Sequence, residues 1–143
     1  MPPNVTRPCA FVFLRADDRV VISEMHHPAE GIFFRPPGGG IEFQETAAQA
    51  ARREIREELA LQIEDIDLLG FREEIFSMEG EPYHEIAFVF EGWIAENALA
   101  ALDGVAIVED DDDVEIARVV SVADLRAGRF APLYPDRVLE LLS

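Results

Sequence analysis

The stretch that decides the fold spans residues 35–61, RPPGGGIEFQETAAQAARREIREELAL. It opens with a turn rich in proline and glycine and continues with helical periodicity. Thr46 followed three residues later by Gln49 is a capping box, which predicts a helix from Ala47 to about Leu59. One side of this helix is apolar, so we expect it to pack on a core. The apolar stripe consists of Ala48, Ala51, Ile55 and Leu59.

Three glutamates occupy another side of the predicted helix. At about 100° per residue, Glu54, Glu57 and Glu58 fall within an arc of roughly 100°. Their carboxylates repel one another, and a divalent cation would remove that repulsion. Oxygen ligands grouped in this way suit magnesium or manganese. The pattern therefore favours a metal site, and the alternative is a solvated acidic helix face.

The spacing in this stretch resembles the Nudix box, the signature of the Nudix hydrolases. The matching residues are Gly39, Glu45 and the segment Arg53-Glu54-Ile55-Arg56-Glu57-Glu58-Leu59-Ala60-Leu61. One position departs from the pattern, because Ala60 stands where the family has glycine. That glycine usually ends the helix in a left-handed conformation, which alanine adopts at a cost of about 1 kcal/mol.

Strands that alternate with helices along the chain predict an α/β class. The resemblance implies, more narrowly, an α/β/α sandwich with a mixed β-sheet, formed by one Nudix hydrolase domain over residues 1–143. It also implies a small-molecule nucleoside diphosphate derivative as substrate and a Mg²⁺ or Mn²⁺ cofactor. A homodimer is compatible with it, because family members often dimerise.

The resemblance also suggests roles for residues around the box. It implies that the Gly39 carbonyl joins the three glutamates around the metal. Helix spacing puts Arg53 one turn before Glu57, so the two can pair, and Glu45 could accept from the other side of the guanidinium. Both contacts would orient groups that bind metal without touching the ion.

The general base has three candidates. They are Glu54 and Glu57 in the box and Glu85 at the start of a long strand. Arg35 is a candidate contact for substrate phosphate, and a surface charge is an equal alternative. His84 is a candidate substrate contact as well, although a structural histidine is the commoner reading. Alternation along the strand predicts that His84 and Glu85 lie on opposite faces.

Composition narrows the class of partner. The 143 residues include 12 basic and 29 acidic side chains, a formal net charge of −17. This balance argues against a nucleic-acid polymer as partner, because phosphate backbones need a basic surface. We find no signal peptide and no apolar run long enough for a membrane span, so a cytoplasmic protein without membrane contact is expected. The single cysteine, Cys9, is expected to be a buried apolar residue.

Alternating patterns and turn residues predict the remaining elements. The predicted strands are residues 9–15, 19–25, 32–34, 71–78, 83–95 and 114–120. Ser121 is expected to cap a short helix, and a final helix is predicted from residues 134–136 to about Leu142. Residues 1–8 are expected to be a loose lead-in, and residues 97–113 are less regular and end in an acidic run at residues 109–113.

Two other functions are compatible with the same fold. One is a diphosphate-binding isomerase that uses metal without hydrolysing its ligand. The other is a non-catalytic ligand-sensing module. Such modules commonly lose box carboxylates, and the presence of all of them here counts against that reading.

Overall fold

The computed structural model of the protein describes residues 4–107 and 114–143, so the predicted acidic run at 109–113 lies outside the described residues. The described strands are β1 Thr6–Ala16, β2 Arg19–His27, β3 Gly31–Arg35, β4 Gly38–Gly40, β5 Ile66–Met78, β6 Glu81–Trp93, β7 Ala106–Ile107 and β8 Val114–Ser121. The described helices are α1 Ala47–Leu59, α2 Glu96–Ala100, α3 Val122–Arg126 and a 3-10 helix at Val138–Leu141.

The strands form a mixed sheet in the order β5-β6-β1-β2-β8-β7, with β3 added to β2 and β4 added to β1. Strands β1 and β6 are parallel, and the other neighbours are antiparallel. The pairing of β1 with β2 is confined to their hairpin end, at Arg15↔Val20 and Ala16↔Arg19. Beyond it β1 pairs with β4 and β2 pairs with β3, so the sheet opens between them.

Helices cover both faces of the sheet, which confirms the predicted α/β/α arrangement. On one face, α1 packs against the core through four fully or nearly fully buried side chains, Ala50, Ala51, Ile55 and Leu59. Ala50 extends the predicted stripe, and Ala48 is only half-buried. On the other face, Val122 and Leu125 of α3 pack with Val138 of the 3-10 helix.

Both ends of α1 match the sequence prediction. The Thr46 hydroxyl accepts from the Gln49 N–H at 3.1 Å, and Gln49 Oε1 accepts from the Thr46 N–H at 2.9 Å, so the capping box is formed. At the other end Ala60 is left-handed, with φ 55° and ψ 33°. Its N–H donates to the Arg56 carbonyl at 3.0 Å. The helix therefore ends as a glycine would end it, although alanine occupies the position.

Several predicted elements differ in extent. The expected lead-in is partly wrong, since β1 begins at Thr6 and pairs with β6. Strand β5 begins at Ile66 rather than Phe71, because a bulge between Leu68 and Gly70 interrupts the alternation. The less regular stretch from residue 97 contains most of α2 and the short strand β7. The final helix is one 3-10 segment, shorter than predicted.

The proline- and glycine-rich turn is also a strand. Gly38–Gly40 pairs with β1, through Phe11↔Gly38, Ala10↔Gly39 and Cys9↔Gly40. A Cβ at Gly38 would lie 2.0 Å from the Ala10 carbonyl oxygen, so only glycine allows this approach. The pairing fixes the segment before α1 against the centre of the sheet. None of the helices in the described residues is long and apolar enough to cross a membrane.

Candidate active site

One guanidinium joins α1 to the segment before it. Arg53 donates to both carboxylate oxygens of Glu45, at 2.8 and 2.9 Å, and to the Gly40 carbonyl at 2.9 Å. It also donates to Glu54 at 3.0 Å and to Glu57 at 3.3 Å. The Arg53 contacts lower the pKa of Glu45 to about 2, because hydrogen bonds and a neighbouring cation favour its charged form. Arg53 thus holds β4 and α1 in one arrangement.

Gly39 lies directly against the Glu54 carboxylate. A Cβ at this position would come within 2.6 Å of Glu54 Oε1 and 3.0 Å of Oε2. A side chain would therefore displace the carboxylate. The absence of a side chain brings the Gly39 backbone and the Glu54 oxygens into the same small volume, where both can face one ligand.

Glu58 lies deeper, close to a second acidic residue, which comes from β8 on the face of the sheet that α1 covers. Glu115 on β8 is 1% exposed, and neither of its carboxylate oxygens has a hydrogen-bond partner among the described residues. Glu58 Oε2 is likewise buried without a partner there. Burial raises the pKa of Glu58 to about 10, and the Glu115 charge and a hydrogen bond with Glu54 add to the rise, while the Arg35 charge opposes it.

A cavity of about 460 Å³ lies where β1 faces β3, beyond the hairpin end at which β1 and β2 pair. Its walls come from β1, β3, β5 and β6 and from the loop at residues 132–135. The charged side chains that line it are Arg7, Glu30, Arg35, Glu74 and Glu85. Arg35 lies 5.6 Å from the Phe11 ring centroid, and its charge acts on Glu58, so it connects the cavity to the acidic cluster.

Comparison with known proteins identifies the family. The family model of the NUDIX domain matches residues 5–141. The chain belongs to the Nudix family. No curated protein matches its sequence.

Solved structures share the Nudix fold. A MutT NUDIX hydrolase from Burkholderia pseudomallei superposes with a TM-score of 0.75 and 24% identity, covering 98% of this chain and 100% of that one. A NUDIX hydrolase from Nitrosomonas europaea superposes with a TM-score of 0.63 and 20% identity, covering 98% of this chain and 86% of that one. A MutT protein from Methanosarcina mazei Go1 superposes with a TM-score of 0.62 and 18% identity, covering 89% of this chain and 85% of that one. At these identities the likeness shows the fold alone.

The Nudix box residues differ in their surroundings. Glu54 and Glu58 face inward, whereas the Glu57 side chain is 55% exposed and contacts Arg53. The predicted contacts of Arg53 with Glu57 and Glu45 are present. The roles proposed for these residues in metal binding and catalysis stay predictions.

The two neighbours on β6 lie on opposite faces, as alternation predicted. Glu85 lines the cavity and accepts from Arg7 at 3.2 Å. His84 contacts Glu73 at 2.9 Å and Thr6 at 3.3 Å, and it is not among the residues that line the cavity. The structure thus brings Arg35 and Glu85 together at one cavity and leaves His84 outside it.

Glu115 is the residue of the acidic cluster that the sequence analysis missed. A signal for it exists, because Glu115 and Ala117 share one face of β8 and both are fully buried. An acidic residue at the inward positions of a strand is unusual enough to be noticed. The proximity of Glu115 to Glu58 could not be inferred, because β8 and α1 are far apart in sequence.

Proposed function

We propose that this Nudix protein hydrolyses the diphosphate linkage of a nucleoside diphosphate joined to another group, in a reaction that requires Mg²⁺ or Mn²⁺. The observation that carries the proposal is the buried acidic cluster. Three carboxylate oxygens, one on Glu58 and two on Glu115, are buried without a hydrogen-bond partner among the described residues. Such groups are costly to bury unless something compensates them, and a cation does so.

The donor set suits a hard divalent cation. Carboxylates of Glu54, Glu58 and Glu115 and the Gly39 carbonyl are oxygen donors of the kind that magnesium and manganese prefer. As the side chains stand, no group of three His, Cys, Asp or Glu side chains in the described residues converges closely enough to hold an ion. The orphaned oxygens of Glu58 and Glu115 still lack a compensating group, and a cation entering the site would draw the carboxylates toward itself.

When bound, the ion would neutralise the charge on the diphosphate and lower the pKa of a water. Glu54, Glu58, Glu115 and the Gly39 carbonyl would hold it, with the exposed Glu57 at the rim of the site. Arg53 keeps Glu54 and Glu57 in fixed orientations through its hydrogen bonds. Arg35 lines the cavity and its charge acts on Glu58, which supports a role for it in binding phosphate oxygens.

The proton from the attacking water needs an acceptor. Glu54 and Glu57 are the candidates in the box, and Glu85 is the candidate in the cavity. Glu85 already accepts from Arg7 and from the Cys9 thiol. Glu54 would hold the ion, which leaves Glu57 as the preferred base within the box. The attached group of the substrate would occupy the cavity beside Arg35.

The test is hydrolysis of a panel of nucleoside diphosphate derivatives with Mg²⁺ or with EDTA. We expect release of phosphomonoester products only with the metal ion. Glu54→Gln and Glu58→Gln should each lower kcat by at least about 100-fold if they bind the ion or accept the proton. Glu64→Gln is the matched control, since Glu64 is exposed and lies outside the box.

The outcomes separate the alternatives. Turnover of the Glu54→Gln and Glu58→Gln variants equal to that of the parent would reject the proposed mechanism. Binding of a diphosphate without any phosphomonoester release, with or without metal, would favour the isomerase or sensing module. Circular dichroism of each variant establishes that a loss of activity does not come from unfolding.

A further inference from the structure

Two glutamates face each other in the wall of the cavity. Glu74 on β5 and Glu85 on β6 are direct cross-strand partners, and both line the cavity. Like charges placed directly opposite each other destabilise a sheet. Burial raises the pKa of Glu74, and the Glu85 charge adds to the rise, while a backbone hydrogen bond from Asp136 opposes it. The pair is therefore a stability cost that a ligand could explain.

Among residues 4–107 and 114–143, each carboxylate accepts hydrogen bonds through one of its two oxygens. Glu85 Oε2 accepts from Arg7 at 3.2 Å and from the Cys9 thiol at 3.4 Å. Glu74 Oε1 accepts from the Asp136 N–H. Neither Glu74 Oε2 nor Glu85 Oε1 receives a hydrogen bond from the residues that the structure describes. The pair therefore has two carboxylate oxygens left as acceptors at the wall of the cavity.

Aromatic rings form other parts of the same wall. Phe76 and Tyr83 stack at 5.4 Å between centroids, and Phe33 meets Tyr134 edge-on at 5.8 Å. All four line the cavity. Rings of this kind suit a planar ligand, and Arg35 lines the cavity at the acidic cluster. A ligand with a phosphate end and a planar end fits this layout.

We propose that Glu74 and Glu85 select a nucleobase whose edge carries adjacent N–H donors, of which guanine is the ordinary example. The inference rests on the proposed function, because it assigns the planar end of the same substrate. Guanine offers an imino and an amino donor side by side. Adenine and cytosine offer one amino donor beside an acceptor nitrogen. Uracil places its single N–H between two carbonyl oxygens, which would face the carboxylates.

The experiment compares GDP-glucose, ADP-glucose, CDP-glucose and UDP-glucose, in which only the base differs. We expect kcat/KM for GDP-glucose to exceed that for UDP-glucose by about 10–100-fold, the discrimination of one good pair of base hydrogen bonds. Glu74→Gln replaces an acceptor with an amide that can also donate. It should lower the ratio at least fivefold, mainly through KM for GDP-glucose, because base recognition does not touch the reacting phosphorus.

Glu73→Gln is the matched control. Glu73 is adjacent on β5, its side chain is 61% exposed, and it contacts His84 on the face away from the cavity. The Glu73→Gln variant should keep the parent ratio. Equal kcat/KM for all four nucleotide sugars would overturn the inference while leaving the proposed function intact. An unchanged ratio of kcat/KM for GDP-glucose to that for UDP-glucose in Glu74→Gln would do the same.

A failure of the proposed function gives a different result. If none of the four nucleotide sugars is hydrolysed, calorimetric measurement of GDP and UDP binding still tests the base preference. The inference requires GDP to bind the parent protein at least tenfold more tightly than UDP. It also requires the Glu74→Gln substitution to reduce that preference. Equal dissociation constants would overturn it.

Discussion

Replacing Ala60 with glycine should stabilise the protein. Ala60 is left-handed at φ 55° and is exposed, so the substitution removes strain without removing buried surface. The left-handed conformation costs a residue with a Cβ about 1–2 kcal/mol. Glycine also destabilises the fold by about 0.4–1 kcal/mol, because it gives the unfolded chain greater conformational freedom. The middle values of the two ranges, about 1.5 and about 0.7 kcal/mol, leave a net gain in the free energy of unfolding of about 0.5–1 kcal/mol.

Urea unfolding measures this gain. With an m-value of about 2 kcal/mol/M, the midpoint of Ala60→Gly should rise by about 0.25–0.5 M at unchanged slope. Ala48→Gly, the same substitution inside α1, is the control and should lower the stability by about 1 kcal/mol. A loss of stability in Ala60→Gly as large as that in Ala48→Gly would refute the strain argument.

Three further predictions concern the site. Arg53→Lys should lower kcat/KM by about 10–100-fold in the hydrolysis assay, because a lysine cannot hold Glu45 through two bonds while reaching Glu54. Gly39→Ala should weaken manganese binding by about 10–100-fold in a titration followed by electron paramagnetic resonance, since its Cβ would displace the Glu54 carboxylate. The contacts with Arg53 lower the pKa of Glu45 from 4.5 to about 2. The charged Glu45 therefore stabilises the fold fully above pH 4.5, and this stabilisation is lost progressively as the pH falls toward 2. The stability difference between the parent and Glu45→Gln in urea unfolding should therefore shrink between pH 5 and pH 2; a constant difference would contradict this.

Local rules predicted the helix of the Nudix box closely. The capping box and apolar periodicity gave both ends of α1, and helix spacing gave the Arg53–Glu57 contact. The rules failed where tertiary contacts decide the structure. Gly38–Gly40 contains too few residues and no side chains to show a strand pattern, and it becomes one only because β1 provides a partner.

Parts of the site were hidden from the sequence for the same reason. Glu115 meets Glu58 only after the sheet has placed β8 beside the face that α1 covers. The cavity exists because β1 and β2 separate beyond their hairpin, and no local pattern marks where the pairing stops. Only Arg35 and Glu85 among its charged residues were identified in advance.

The most direct test of the central claim is a crystal structure of the protein soaked in manganese, with anomalous scattering used to locate the ion. We expect an anomalous peak within bonding distance of Glu54 and Glu58 and beside Glu115, with the Gly39 carbonyl facing it. Manganese bound elsewhere, or these carboxylates still buried together with no ion between them at saturating manganese, would contradict the account.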